Sequence, residues 1–120
     1  MKLGTGTDIE EVARFKKAIR NRTFLLRTFS KNEIEYCQAK GSPERHFAGV
    51  FAAKEAAYKA IQQLHPTKVS LLTLEILHRR SGLPYLRISS STLRQHLRIN
   101  VSISHSNNYA VAVALAISDK

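Results

Sequence analysis

Residues 44–64 read ERHFAGVFAAKEAAYKAIQQL and predict the longest helix of the chain. Phe47, Phe51 and Tyr58 recur at helical spacing and form its apolar stripe. Pro43, immediately before the segment, suits the first helical position, where an N–H would have no partner anyway.

Glu55 is the charged residue of this helix that most needs an explanation. It stands one turn beyond Phe51, on or beside the predicted buried stripe, while Lys54 borders the other edge of the stripe. A carboxylate is expensive to bury without a partner. Lys59 lies one turn further, so an intrahelical Glu55–Lys59 pair on a solvated face is the alternative. Spacing alone leaves both interpretations open.

The N-terminal segment Lys2–Ile9 predicts a strand whose residues alternate between two faces. Gly4, Gly6 and Asp8 share one face, which lets another backbone or a ligand approach closely. Asp8 is also predicted to cap a helix that follows the strand. The helix is predicted to hold Glu10 and Glu11 in its first turn and Val12, Phe15, Ile19 and Phe24 along its length.

Short elements make up the rest of the chain. Ser30 is predicted to begin a helix through a capping box with Glu33, and this helix ends near Gly41. After the long helix, strands over 69–78 and 83–88 predict a β-hairpin. Two further strands are predicted before the C-terminus, and alanines on one face of the last suit packing against a helix or another subunit. This order of elements predicts an α+β fold.

The chain has 120 residues and a formal net charge of +10 at pH 7. This length predicts a single domain over residues 1–120, and 43% hydrophobic residues argue against disorder. The charge implies an anionic partner, which can be nucleic acid, an acidic membrane or an acidic protein. A single cysteine, Cys37, suits a reducing compartment. The sequence shows neither a signal-peptide pattern nor an apolar run of about 20 residues, so we expect a soluble cytoplasmic protein.

Acidic residues are absent from residues 13–31 and 77–117, so both stretches are strongly basic. Most of the nine acids are best interpreted as solvated surface groups or helix-end charges. Asp8 and Glu55 differ, because each is placed on an element facing the interior. Two carboxylates with phosphate oxygens and waters are the usual ligands of Mg²⁺, and nearby lysines and a histidine would suit phosphoryl transfer.

Three segments, taken in order, resemble holo-acyl-carrier-protein synthase, the small homotrimeric class of 4′-phosphopantetheinyl transferase. They are GTGTDIE at 4–10 with Arg14 and Phe15, FAGVFAAKEAAYKA at 47–60, and VSISHS at 101–106 followed by YAVA at 109–112. Each motif alone is weak, but their order and spacing over nearly the whole chain are specific. The resemblance implies an antiparallel sheet packed against one long and several short helices.

The resemblance also implies a reaction, in which the 4′-phosphopantetheine arm of coenzyme A (CoA) moves to a serine of apo acyl carrier protein and 3′,5′-ADP is released. Asp8 and Glu55 match the Mg²⁺ ligands, and Lys59 matches a phosphate-binding lysine; these three are the expected catalytic residues. The base that activates the serine is either Glu55 or a bound water. The implied cofactor-binding residues are Lys54, Lys59, His105 and Ser106.

The resemblance assigns the first basic stretch to the carrier protein, which is strongly acidic. Arg14 matches a carrier-binding arginine, and Lys17 and Arg20 extend that surface, so we expect an effect mainly on association rate and salt sensitivity. Neither nucleic acid nor a membrane is an expected partner. In the family the active sites lie between subunits of a homotrimer, which fits a C-terminal strand that is apolar on both faces.

Two positions depart from the family pattern. Val50 stands where the family usually has arginine or another large residue, which removes a phosphate contact, and residues 61–66 replace a Gly-Thr-Gly segment, so the loop over CoA differs. A nucleic-acid-binding basic module is one alternative, but the C-terminal sheet lacks the Phe and Trp residues that usually stack on bases. A catalytically weakened trimeric paralogue is the other, and it would tolerate loss of Asp8 and Glu55.

Overall fold

Two antiparallel sheets and five helices form an α+β architecture within residues 1–119, the part of the chain that the computed structural model describes. In chain order the elements are β1 (Lys2–Glu11), α1 (Val12–Ala18), α2 (Arg22–Thr28), α3 (Lys31–Gln38), α4 (Pro43–Leu64), a 3-10 turn (Leu71–Thr73), β2 (Leu74–His78), β3 (Pro84–Ile88), α5 (Ser91–Arg94), β4 (Leu97–His105) and β5 (Tyr109–Ser118). One sheet has the strand order β1-β5-β4 and the other pairs β2 with β3. The expected fold class is confirmed.

The long helix α4 lies against the β1-β5-β4 sheet because the strands present very small residues to it. A Cβ on Gly4 would lie 2.3 Å from the carbonyl oxygen of Ala60, and one on Gly6 would lie 1.9 Å from that of Ala56. The buried residues of β5 on this face are Ala110, Ala112, Ala114 and Ala116. The predicted close approach of a backbone to β1 is therefore the backbone of α4.

Aromatic side chains hold the short helices α1 and α2 onto α4. Phe47 is fully buried, and its ring centroid lies 5.0 Å from that of Phe29. Phe51 is half-buried and lies 5.4 Å from Phe15, ring centroid to ring centroid. These contacts confirm the apolar stripe predicted for the helix and fix the position of the basic α1 beside the end of β1.

Two local predictions are confirmed, and a glycine occupies the turn of the β-hairpin. Ser30 and Glu33 form a full capping box, in which Ser30 Oγ accepts from the Glu33 N–H at 3.2 Å and Glu33 Oε1 accepts from the Ser30 N–H at 2.8 Å. Pro43 is the first residue of α4. Gly82 has a φ of 92° in the turn between β2 and β3, a conformation that favours glycine.

The end of β1 differs from the expectation. Pairing with β5 continues as far as Glu11, opposite Tyr109, so Glu10 and Glu11 lie in the strand and not in the first turn of a helix. The helix α1 begins at Val12 with Glu11 as its N-cap, and Asp8 caps nothing. The reason is that β5 pairs with the backbone of β1 over more residues than the local sequence indicates.

Two other element boundaries differ. The single helix predicted to run through Phe24 is two helices, because Asn21 Oδ1 accepts from the Phe24 N–H at 3.1 Å and starts α2 anew. The strand predicted over 69–78 begins only at Leu74, after the 3-10 turn, and α3 ends at Gln38.

The outer face of the β1-β5-β4 sheet is uncovered in the single chain. It exposes the apolar side chains of Leu3, Ile9, Val111 and Val113. Among residues 1–119, no helix is both long enough and apolar enough to cross a bilayer.

Candidate active site

Asp8, Glu55 and Lys59 meet where β1 lies on α4. Asp8 is on the helix-facing side of β1, and Lys59 Nζ lies 3.5 Å from its Oδ1. The same ammonium donates a hydrogen bond to the carbonyl oxygen of Thr7 at 2.9 Å. The Lys59 side chain is 53% exposed and that of Asp8 14% exposed, so a ligand arriving from solvent can reach the lysine.

Glu55 lies beside this pair, and the structure decides between the two interpretations of its position. Within residues 1–119 no ion pair joins Glu55 to Lys59, because Lys59 turns toward Asp8. Burial raises the pKa of Glu55, the negative charge of Asp8 raises it further, and Lys59 acts in the opposite direction. A raised pKa makes a carboxylate a stronger base, which suits a group that accepts a proton.

Glu10 also belongs to this group of carboxylates, although the sequence pattern placed it in a helix. It is 8% exposed on the same face of β1 as Asp8. Burial, together with the hydrogen bond and the charge of Asp8, raises the pKa of Glu10 to about 8, while Arg14 lowers it. Glu10 lies two residues after Asp8, and residues at this spacing share one face of a strand. The sequence would have placed Glu10 beside Asp8 only if β1 had been predicted to continue to Glu11.

These residues fit a magnesium centre that a ligand completes. Asp8 Oδ2 is buried with no hydrogen-bond partner among residues 1–119, and a bound cation would satisfy it. Mg²⁺ usually takes one or two carboxylates and fills its other positions with phosphate oxygens and waters. No cluster of three or more His, Cys, Asp and Glu residues in the described chain could enclose a metal by itself. The carboxylates of Asp8 and Glu55 therefore suit a cation that also binds the phosphate oxygens of a ligand.

A cavity of about 520 Å³ opens beside Glu55. Glu55 and Tyr58 form its wall on α4, and residues 68–71 form the opposite wall. This space would place the extended part of a ligand next to the side chain of Glu55.

His105 lies at a second cavity, of about 190 Å³, at the opposite edge of the sheet from Asp8, since β5 separates β4 from β1. His46, His78 and Tyr36 line the same cavity. The rings of Tyr36 and His78 stack with centroids 3.8 Å apart, and those of His46 and His105 meet edge to face at 5.4 Å. The chain thus does not bring His105 to Asp8.

The sequence pattern missed three members of this second cavity, because they come from α3, α4 and β2 and no short motif joins them. Burial lowers the pKa of both His46 and His78, in the latter case to about 4 with the positive charge of Lys40 as the second cause. These two rings are therefore neutral at pH 7. Val50 lines the cavity as well.

The prediction that Lys54 binds the cofactor is wrong. Its side chain is 0% exposed, and Nζ lies 2.7 Å from Glu33 Oε1 in the interior between α4 and α3. Lys54 therefore neither borders the stripe at the surface nor reaches a ligand. Ser106 stays beside His105 on the surface, where its Oγ accepts from the Tyr109 N–H at 3.2 Å and closes the β4–β5 turn.

The basic residues assigned to a partner are all exposed near the end of β1. Arg14 and Lys17 lie on α1, and Arg20 follows it. The Arg14 side chain is 72% exposed, and its Nη1 lies 3.6 Å from Glu10 Oε1. This cationic surface is therefore in contact with the carboxylate group at its base.

The family model of the 4′-phosphopantetheinyl transferase superfamily matches residues 4–114 of this chain. The chain belongs to this superfamily. Among its members, the holo-acyl-carrier-protein synthase of Protochlamydia amoebophila is 41% identical over 119 residues, which cover 96% of this chain and 98% of the relative. The resemblance carried by the three sequence motifs is thereby confirmed.

Solved transferase structures share the fold. The complex of the Chronobacterium ammoniagenes enzyme with CoA superposes with a TM-score of 0.85 at 25% identity over 100% of both chains. The holo-acyl-carrier-protein synthase of Bacillus anthracis, in complex with CoA (3′,5′-ADP), gives a TM-score of 0.78 at 33% identity, covering 97% of this chain and 96% of that one. The transferase fold of this chain is therefore complete over both the Asp8 and the His105 regions.

Proposed function

We propose that this chain transfers the 4′-phosphopantetheine group of CoA to a serine of apo acyl carrier protein and releases 3′,5′-ADP. The observation that carries the proposal is the convergence of Asp8, Glu55 and Lys59 at the junction of β1 and α4, in a chain of this superfamily. The free, buried Cys37 suits a reducing cytoplasm, where we place the reaction.

Lys59 is proposed to bind the pyrophosphate of CoA. Its ammonium is accessible, and contacts with Asp8 and the Thr7 carbonyl already hold it in place. Phosphoryl transfer depends mainly on positioning and on neutralising charge, and a lysine that is ordered before the substrate arrives serves both needs.

Asp8 and Glu55 are proposed to hold Mg²⁺ against the same pyrophosphate. When bound, Mg²⁺ supplies neutralisation of the negative charge on the phosphate oxygens. Glu55, directly or through one water, accepts the proton of the serine hydroxyl. The serine oxygen then bonds to the phosphorus that carries pantetheine, and the bond from that phosphorus to the oxygen of 3′,5′-ADP breaks.

The nucleotide end of CoA is proposed to occupy the cavity at His105. The neutral ring of His78 and the Tyr36 ring stacked on it offer flat, polarisable surfaces. Because β5 stands between His105 and Asp8, one CoA is best held between the His105 cavity of one subunit and the Asp8 site of a neighbour.

A homotrimer follows from the same proposal. The apolar outer face of β1 and β5 is exposed in the single chain, and association of identical subunits would cover it. Light scattering on the protein and on Val113→Asp tests this: the mass of a trimer is expected for the first and a smaller mass for the second.

The transfer itself is tested by incubating the chain with CoA, Mg²⁺ and apo acyl carrier protein and weighing the carrier by mass spectrometry. The mass of one phosphopantetheine should be gained, and Glu55→Gln should abolish the gain while Glu35→Gln, on the exposed side of α3, should not. No gain with several carriers would overturn the proposal. Salt-dependent RNA binding in its place would favour a nucleic-acid-binding module.

A further inference from the structure

Tyr58 is an aromatic residue of α4 whose ring is held by the core and whose hydroxyl has no partner. It stands three residues after Glu55, and residues at this spacing are neighbours on a helix surface. The ring is half-buried and packs against the hydrophobic core. Its hydroxyl makes no hydrogen bond to any other of residues 1–119. A fixed ring with an unpaired hydroxyl therefore borders the 520 Å³ cavity that Glu55 also lines.

The opposite wall of this cavity is the segment that leads into the 3-10 turn, and most of it is apolar or already hydrogen-bonded. Val69 and Leu71 are half-buried, whereas Lys68 is exposed. Ser70 Oγ accepts from the N–H of Leu72 at 3.2 Å and so belongs to the turn. An apolar cavity with few polar groups suits a slender ligand in which apolar and polar groups alternate.

The place of Tyr58 along the helix indicates which part of a ligand would reach it. Glu55 and Lys59 are the residues of α4 that we propose to lie at the pyrophosphate of CoA. Tyr58 lies between them in sequence, about 4.5 Å along the helix axis from Glu55. The pantetheine arm begins at that pyrophosphate, with a dimethyl carbon, a hydroxyl and an amide among its first groups. These groups would lie against the ring and the hydroxyl of Tyr58.

We propose that Tyr58 is a specificity-determining residue for the pantetheine arm of CoA. This inference rests on the proposed function. The ring packs against the apolar part of the arm, and the hydroxyl forms a hydrogen bond with a polar group near the phosphate. Because 3′,5′-ADP lacks the arm, Tyr58 contributes to the affinity for the substrate and not to that for this product.

The experiment compares the two ligands by isothermal titration calorimetry in the absence of carrier protein, so that no transfer occurs. Tyr58→Phe removes only the hydroxyl and should raise the Kd for CoA about fivefold. Tyr58→Leu also removes the ring and should raise it about tenfold or more. The Kd for 3′,5′-ADP should stay within about twofold of its original value in both variants. In turnover, Tyr58→Phe should raise the KM for CoA with kcat little changed.

Tyr85→Phe is the matched control, because it makes the same chemical change on β3, away from the cavity beside Glu55. Tyr85 is 36% exposed. The Kd for CoA and that for 3′,5′-ADP should both stay unchanged in this variant. Should Tyr58→Leu fail to fold, Tyr58→Phe still tests the proposal, since it keeps the ring that packs against the core.

The outcomes separate this inference from the function on which it rests. Unchanged CoA affinity in Tyr58→Phe and Tyr58→Leu overturns it, and so does an equal loss of affinity for CoA and 3′,5′-ADP. A raised KM for carrier with unchanged CoA affinity would assign the cavity to the carrier and also overturn it. All three results leave the transferase proposal standing. A chain that binds neither CoA nor 3′,5′-ADP and modifies no carrier overturns both.

Discussion

Lys54 Nζ lies 2.7 Å from Glu33 Oε1, and both side chains are fully buried between α4 and α3. Glu33 also accepts from the N–H of Ser30 at 2.8 Å and from that of Ile76 at 2.7 Å, so its two oxygens tie three elements together. Burial lowers the pKa of Lys54, and the charge of Glu33 opposes that shift. The lysine of the Ala-Ala-Lys-Glu motif therefore supports the helix that carries Glu55 and does not touch a ligand.

Removing one partner of this pair should be costly. Lys54→Met leaves a buried carboxylate uncompensated, and we expect the free energy of unfolding to fall by about 3–5 kcal/mol in chemical denaturation. Adding Glu33→Gln should restore part of the loss, because the amide carries no charge and its oxygen still accepts from the Ile76 N–H. Equal stability of Lys54→Met and the unmodified chain would contradict the structural role.

Gly6→Ala should separate β1 from α4. The new Cβ would lie 1.9 Å from the carbonyl oxygen of Ala56, a contact that only movement of the backbone can relieve. We expect a loss of about 3 kcal/mol or more in thermal or chemical unfolding. Gly41→Ala is the matched control, since a Cβ there meets nothing within 4 Å and should cost little. Similar melting temperatures for the two variants would argue against the close packing of β1 on α4.

How much of this molecule the sequence could predict depends on how local each signal is. The spacing of Phe47 and Phe51 predicted α4 correctly because residues three or four apart in the sequence form one face of a helix. Glu10 was misplaced because the length of β1 is set by pairing with β5, about 100 residues away along the chain. The partner of Lys54 was missed for a similar reason, because Glu33 lies on another helix. In the site itself, Asp8 and Glu55 were predicted from sequence motifs. Tyr36 and the histidines of the second cavity were not predicted, because no short sequence motif contains them.

His78 should make the stability of the protein depend on pH. Its pKa is lowered from an ordinary value of 6.5 to about 4, by burial first and then by the positive charge of Lys40, with His46 as the smallest cause. Between these values the unfolded chain binds more protons than the folded chain. The stabilisation is therefore present in full above pH 6.5 and is lost as the pH falls toward 4.

Thermal unfolding followed at several pH values between 4 and 7 measures this effect. His78→Phe preserves the stacking on Tyr36, whose ring lies 3.8 Å away, and removes the titrating group. The melting temperature of this variant should fall less steeply with acid than that of the unmodified chain. Parallel curves for the two proteins would show that the protonation of His78 does not oppose folding.

Carrier recognition should depend on the charges beyond Arg14. Lys17 and Arg20 are exposed and make no ion pair within residues 1–119, so their charges are available to an acidic partner. The double variant Lys17→Glu/Arg20→Glu should raise the KM for carrier about tenfold or more in 50 mM salt, with kcat and the KM for CoA little changed. The difference from the unmodified chain should shrink in 0.5 M salt, because screening weakens contacts between exposed charges. Arg79→Glu/Arg80→Glu, at two exposed positions between β2 and β3, is the matched control for net charge and should leave the carrier KM near its original value. An equal rise in KM for that control would mean that total charge, and not the surface at α1, attracts the carrier.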